Sequence, residues 1–310
     1  MNQRGIALPL VLWTITVLVT IVFSLALASR TEVRMTSNFR DVRERKFLAQ
    51  AGIERGLLEI AYRTSVSGQA MAELQPWRVD GSSYPEDLGS GSYSVSIADE
   101  SGKISINGLT DTNSAPLRNL IVRLGTDPET ADTIVDSILD WKDADDLHRL
   151  HGAEDDYYQS LPVPYHARNN DFTAPEELLL VRGMTEQLFF GKGLVTFVTV
   201  YSKHSGINLE SASREVLLSL PGMNEPLADS LIAYREHSPT WNEADAESLL
   251  GPVAEQARPY LAAAGTGIYT ITSQGYRKGE KTVYSVTATV HSTGSGFGYL
   301  YYKSPSGGER

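Results

Sequence analysis

Residues 6–28 read IALPLVLWTITVLVTIVFSLALA, 23 positions without a charge, in which Thr14, Thr16, Thr20 and Ser24 are the polar side chains. As a helix this run covers about 35 Å, enough for the hydrocarbon core of a bilayer. Its hydroxyls can bond back to helix carbonyls, so they cost little in lipid. A secretory signal peptide would have a shorter apolar region and a small-x-small cleavage site, for which Ala26 and Ala28 are the residues available. Apolar positions then continue past Arg30, at Val33, Phe39, Val42, Phe47, Ala51, Ile53, Leu57 and Ile60. No proline intervenes between Val11 and Tyr62, so the spacing predicts one long helix, half in lipid and half in water.

Around this helix the composition sets limits. The chain has 310 residues, 41% hydrophobic, a net charge of −11 and no cysteine. It can bury a core, must fold without disulfides, and must build any metal site from oxygen or imidazole ligands. The acidity argues against a nucleic-acid partner. The basic residues flanking the span are lopsided. Arg4 precedes it, whereas Arg30, Arg34, Arg40, Arg43, Arg45 and Lys46 follow, offset by Glu32, Asp41 and Glu44. Taken alone, that count orients the span with its C-terminal side in the cytoplasm.

The residues before the span point the other way. Met1-Asn2-Gln3-Arg4-Gly5, followed at once by an apolar helix, resembles the class III leader of type IV pilins and pseudopilins. The stretch from Phe47 to Glu54, FLAQAGIE, is similar to the corresponding part of minor pilin helices. The resemblance implies cleavage by a prepilin peptidase between Gly5 and Ile6, and an exported C-terminal domain. The carboxylate usual at the fifth mature position is replaced here by Leu10, a departure that resembles the protein K family of type II secretion. In pilins that carboxylate pairs with the N-terminal amine of a neighbour.

Downstream, 64–91 is rich in Ser, Gly and Pro and reads as a connection. Tyr93, Val95 and Ile97 alternate with small polar residues as in a half-buried strand. After a turn at 99–103, Ile104 and Ile106 resume the alternation. The same grammar returns at Tyr269 and Ile271, then at Tyr284, Val286, Ala288 and Val290, with 297–302 as a last edge strand. Strands this few on either side make no stable sheet alone, so the helical stretch between them is expected to be an insertion within one sheet domain. The expected fold is α+β: a long N-terminal transmembrane helix, a small antiparallel sheet and a large all-α insertion. The boundaries are a leader at 1–5, the span at 6–28 and its extension at 29–63. The connection and first strands occupy 64–107, the helical insertion 108–264, the last strands 265–303 and a tail 304–310.

The insertion repeats itself. Ile106-Asn107-Gly108-Leu109 is similar to Ile207-Asn208-Leu209. Leu120-Ile121, Gly125 and 131–135 match Leu217-Leu218, Gly222 and 228–232, and a third fragment at 179–184 matches 218–223. These look like helix-hairpin-helix or SAM-like modules, which protein K of type II secretion also carries. In DNA-binding versions the glycine turn offers amides to a phosphate. Here 206–262 holds nine acidic residues against three arginines and no lysine, so a packing module is the expectation and nucleic acid is not.

Chemistry concentrates in the acidic stretch from Asp140 to Asp156, with seven carboxylates against Lys142 and Arg149. Carboxylates so dense are either solvated or share a hard cation such as calcium, which takes six to eight oxygens. The spacing is not that of an EF-hand. His148, His151 and Glu154, three apart, are a zinc alternative weakened by Gly152. Asp-Trp-x-Asp-x-Asp, then Gly-Ala-Glu and Tyr-Tyr, resembles the protein K signature. The resemblance implies calcium held by Asp143, Asp145 and Glu154, with Asp155 a further candidate and Asp140 capping or pairing near Trp141. No catalytic constellation, nucleophile elbow, phosphate loop or cofactor site is legible. The resemblance further implies a non-enzymatic role: a minor pseudopilin in a tip complex with minor pseudopilins I, J and H. That complex would start or cap a periplasmic pseudopilus on its inner-membrane assembly platform. The alternative is a minor pilin of a type IV pilus or DNA-uptake machine.

Overall fold

The structure is a computed structural model that describes residues 7–65, 77–238, 241–262, 265–280, 282–293 and 296–305. The leader, Gly5 and Ile6 lie outside the described residues, as does the end of the tail.

Helix α1 runs unbroken from Ala7 to Ser65. Everything on it from Ala7 to Arg40 is exposed, and an apolar window of mean hydropathy 2.5 in this half is long enough to cross a membrane. Thr14, Thr16 and Thr20 donate to Val11, Leu12 and Thr16 carbonyls at 2.8 Å, so these three hydroxyls need no water. The second half buries Leu48, Ala49, Gly52, Ile53, Gly56, Leu57 and Ile60. These recur at three and four residues, the stripe a helix turns toward a sheet.

The sheet has strand order β1-β2-β5-β6-β7, with every neighbouring pair antiparallel. β1 spans Asp80–Leu88, β2 Gly91–Asp99, β5 Ile268–Arg277, β6 Tyr284–Thr293 and β7 Gly296–Lys303. The short β3 (Ile104–Ser105) and β4 (Val198–Thr199) pair in parallel elsewhere. Val95, Ile97, Ile271, Val286, Ala288 and Val290 are fully buried beneath α1. The approach is close enough to demand glycine: a Cβ on Gly52 would sit 2.1 Å from Ser273 Oγ.

Two expectations change. β1 lies inside the stretch read as a connection, because an edge strand with Ser82, Ser83, Pro85 and Asp87 lacks an apolar alternation. It is held from within by Tyr84, stacked on Trp77 at 4.6 Å. Ile104 does not extend the first hairpin. It leaves the sheet to pair with Val198, and Ile106 donates to the Thr199 carbonyl at 2.8 Å.

Because β2 pairs directly with β5, the helical part interrupts the sheet in sequence but not in space. It contains α2 (Ala115–Arg123), α3 (Pro128–Lys142), α4 (Asp155–Gln159), α5 (Leu194–Phe197), α6 (Arg214–Ser219), α7 (Glu225–His237), α8 (Glu243–Leu250) and α9 (Val253–Ala257). The internal repeat has a structural counterpart in the pairs α2–α3 and α6–α7. Each turns on a glycine with positive φ, Gly125 at 98° and Gly222 at 78°. Each second helix starts on a side-chain cap, Asp127 or Asn224, with proline in its first turn. Each pair is bridged by an arginine to an aspartate, Arg118 to Asp132 and Arg214 to Asp229. α2 packs on α6, and Asn119 Nδ2 donates to the Ser219 carbonyl at 2.9 Å.

Candidate metal centre

The acidic cluster is assembled where α3 ends. Asp140 and Asp143 are three apart, which puts both carboxylates on one face of the last turn. Trp141 between them is buried against Tyr158, Tyr165 and Phe172, with ring centroids 5.0, 6.1 and 6.3 Å away. Its indole N–H donates to Glu177 Oε1 at 3.1 Å. The chain leaves the helix at Asp143, which adopts an extended conformation. It loops out through the exposed Asp145, Asp146 and Leu147, and returns at Glu154, the N-cap of α4.

Glu154 makes no side-chain cap bond. Its carboxylate points inward instead and is 1% exposed. Carboxylate oxygens of Asp140, Asp143 and Glu154 lie within 4.8 Å of one another. Both oxygens of Glu154 and Oδ1 of Asp143 are buried without a hydrogen-bond partner among the described residues. Arg149 faces the group and bonds Asp140 Oδ1 at 2.7 Å, Asp143 Oδ2 at 2.6 Å and Asp111 Oδ1 at 2.9 Å. Burial and then the surrounding aspartates Asp140, Asp143, Asp146 and Asp145 push the Glu154 carboxyl up to about 8. Burial also raises Asp140 despite its bonds to Arg149. A Cβ at position 152 would fall 1.8 Å from Asp140 Oδ2, so only glycine lets the returning loop close over this carboxylate.

The donor set fits a hard cation. It offers three carboxylates, with unpaired oxygens already desolvated and no thiolate or imidazole among them. A bound calcium would supply the positive charge that the Glu154 oxygens lack and tie the loop to α3.

The structure thus brings Asp143 and Glu154 together but completes the group with Asp140. Asp145 sits on the exposed loop, where its Oδ1 accepts the Leu147 amide at 2.9 Å. Asp155 is engaged elsewhere, with His166 Nδ1 at 2.6 Å and the Ala167 amide at 2.7 Å. Asp140 pairs near Trp141 as expected, yet its membership in the group was not read from the sequence. The i, i+3 spacing to Asp143 at a helix end was the available signal. The histidines are not gathered around Glu154: His148 Nε2 faces Asp156 at 2.9 Å. Leu10 is exposed on the apolar half of α1.

A family profile described as type II secretion system (T2SS), protein K matches residues 102–203, from the start of the helical part through this acidic loop. The chain is similar in sequence to protein K of the type II secretion system. It is a minor pseudopilin of that system. The type II secretion system protein K of Pectobacterium carotovorum subsp. carotovorum is 28% identical over 263 residues, 80% of this chain and 79% of that one. The Pseudomonas aeruginosa protein K is 27% identical over 252 residues, 74% of this chain and 72% of the relative. A relative in Escherichia coli K12 is 25% identical over 209 residues, 64% of this chain and 63%, a little under two thirds, of its own length. In fold the chain is similar to one in the crystal structure of the GspK-GspI-GspJ complex from the enterotoxigenic Escherichia coli type 2 secretion system. The TM-score is 0.60 at 17% identity, over 89% of this chain and 99% of that one.

Proposed function

We propose that this chain is a single-pass inner-membrane protein with its folded domain in the periplasm of a Gram-negative bacterium. There it joins minor pseudopilins I and J, and H, in a tip complex that initiates or caps the pseudopilus during protein export. The observation that carries this reading is α1. Its first half is apolar and exposed, while its second half is built into the domain core. Such a helix satisfies its exposed half only in lipid or among sister helices. The similar structure was solved as a complex with GspI and GspJ, which supports those partners for this chain.

The leader would be removed by prepilin peptidase between Gly5 and Ile6, and Leu10 would deny the helix the carboxylate with which pilins meet a neighbour's amine. The role is structural rather than catalytic. Asp140, Asp143 and Glu154 are proposed to hold calcium, supported by the orphaned oxygens of Glu154. The pairs α2–α3 and α6–α7 are proposed as SAM-like packing modules. The acidic surface of 206–262 supports a role without nucleic acid. Co-expression with the candidate pseudopilins I and J, followed by affinity purification, tests the assignment. A stoichiometric ternary complex is expected. An I–J complex that forms fully without retaining this chain would overturn it.

A further inference from the structure

Arg30, Arg34, Arg40, Arg43 and Lys46 are exposed along α1. None of these five forms an ion pair among the described residues, whereas Arg45, Arg55 and Arg63 of the same helix do. Arg45 meets Glu280 at 2.6 Å, Arg55 meets Glu59 at 2.9 Å and Arg63 meets Glu210 at 2.5 Å. In sequence, Asp41 and Glu44 offset the cluster. In the fold both turn to Arg277 of β5, 2.6 and 3.1 Å away. The sheet therefore takes up the carboxylates and leaves the cations outside, with Glu32 as the remaining acidic residue of 29–46.

Position says what those cations meet. At about 1.5 Å of rise per residue, Arg30 and Arg34 stand roughly 3 and 9 Å beyond Ala28, the end of the apolar run, at headgroup depth. Four residues apart, they share one face of the helix. Val33 and Met35 are exposed beside them, the mixture of apolar and long basic side chains suited to a membrane interface.

We propose that Arg30 and Arg34 bind the phosphates of anionic phospholipid headgroups where α1 leaves the bilayer, with Arg40, Arg43 and Lys46 adding longer-range attraction. The bound headgroups fix the depth of α1 and hold the folded domain at the membrane surface before assembly. They also give the cations that oppose the expected orientation a counter-charge. The proposal rests on the membrane-spanning reading of the apolar run.

The test offers the full chain, diluted from detergent, a mixture of phosphatidylcholine vesicles and vesicles containing phosphatidylglycerol, separated afterwards by flotation. Carbonate-resistant insertion scores the span independently of lipid preference. Enrichment in the anionic vesicles on the order of tenfold is expected at low salt, declining as salt rises. Arg30→Gln with Arg34→Gln should bring the preference within about twofold, while Arg30→Lys with Arg34→Lys should keep most of it. Resistant insertion into both vesicles without preference makes the cluster a solvated face and overturns the proposal. An unchanged lipid preference in the glutamine variant, with loss of pseudopilin co-purification, assigns the arginines to a protein interface and overturns it too. Failure to insert anywhere removes the span and the headgroup site together.

Discussion

A carboxylate oxygen of Glu154 lies within 4.8 Å of one on Asp143, and neither oxygen of Glu154 has a hydrogen-bond partner among the described residues. The two residues sit at opposite ends of one exposed loop, so an ion between them would close that loop as a clasp. A desolvated carboxylate without donor or cation is costly, and that cost makes the contact testable.

Calcium should stabilise the chain and chelation should lower its melting temperature. At a hundred times its dissociation constant the ion contributes about 2.7 kcal/mol, or roughly 5–10 °C for a domain of this size. Glu154→Gln and Asp143→Asn should abolish the calcium-dependent shift in differential scanning fluorimetry. Asp145→Asn decides whether the exposed loop closes further onto the ion: a shift retained in that variant leaves the ion with Asp140, Asp143 and Glu154.

The metal-free chain should lose stability as pH rises from about 4.5 to about 8, the ordinary and raised positions of the Glu154 carboxyl. The folded state holds this proton more tightly than the unfolded one, so its contribution is present at low pH and lost on deprotonation. The slope from this one group is at most about 1.4 kcal/mol per pH unit. Urea melts in chelator at several pH values measure it, and Glu154→Gln should flatten the curve. With calcium saturating, the trend over the same range should reverse, because protons then compete with the ion.

Gly152→Ala should destabilise the helical part by about 1–3 kcal/mol, as overpacking does, because its Cβ falls 1.8 Å from Asp140 Oδ2. The same substitution should weaken calcium binding by isothermal titration calorimetry. A variant with unchanged stability and affinity would mean that the loop closes differently.

Arg235 of α7 ties the helical part to β1. Its side chain is 8% exposed, its Nε lies 3.6 Å from Asp80 Oδ2, and it donates to the Ala212 carbonyl at 2.6 Å. Arg235→Met should cost about 1–3 kcal/mol, because it removes the donor to the Glu210 and Ala212 carbonyls and leaves Asp80 with Arg78, 3.3 Å away, as its remaining cation among the described residues. Limited proteolysis should then cut faster between helices and sheet, and Asp80→Asn in the same chain should recover part of the loss.

Intact mass spectrometry of the membrane-extracted protein should give Ile6 as the first residue. A start near Arg30 would mean secretory cleavage and release from the membrane.

Much of this protein was legible because its signals are local. The apolar run at 6–28, the stripe from Leu48 to Ile60 and the alternation at Tyr93–Ile97 each follow from neighbours along the chain, since burial of one face imposes its own period. The repeat was legible for the same reason, because glycine turns and capped helix starts are short-range chemistry. β1 was not, because an edge strand exposes enough polar surface to look like a loop. Ile104 was misassigned because alternation states that a residue is buried, not beside which partner.

The sequence by itself determined that the chain has one long helix, two sets of strands, a helical stretch between them and a dense acidic loop. Only the tertiary structure decided how charges are shared. It joined Asp140 to Asp143 and Glu154, left Asp145 on the surface, and turned Asp41 and Glu44 from the basic flank of α1 to Arg277. Those outcomes depend on distances between residues far apart in sequence and on how far each is removed from water. Both set the strength of an electrostatic interaction, and neither is written in the order of residues along the chain.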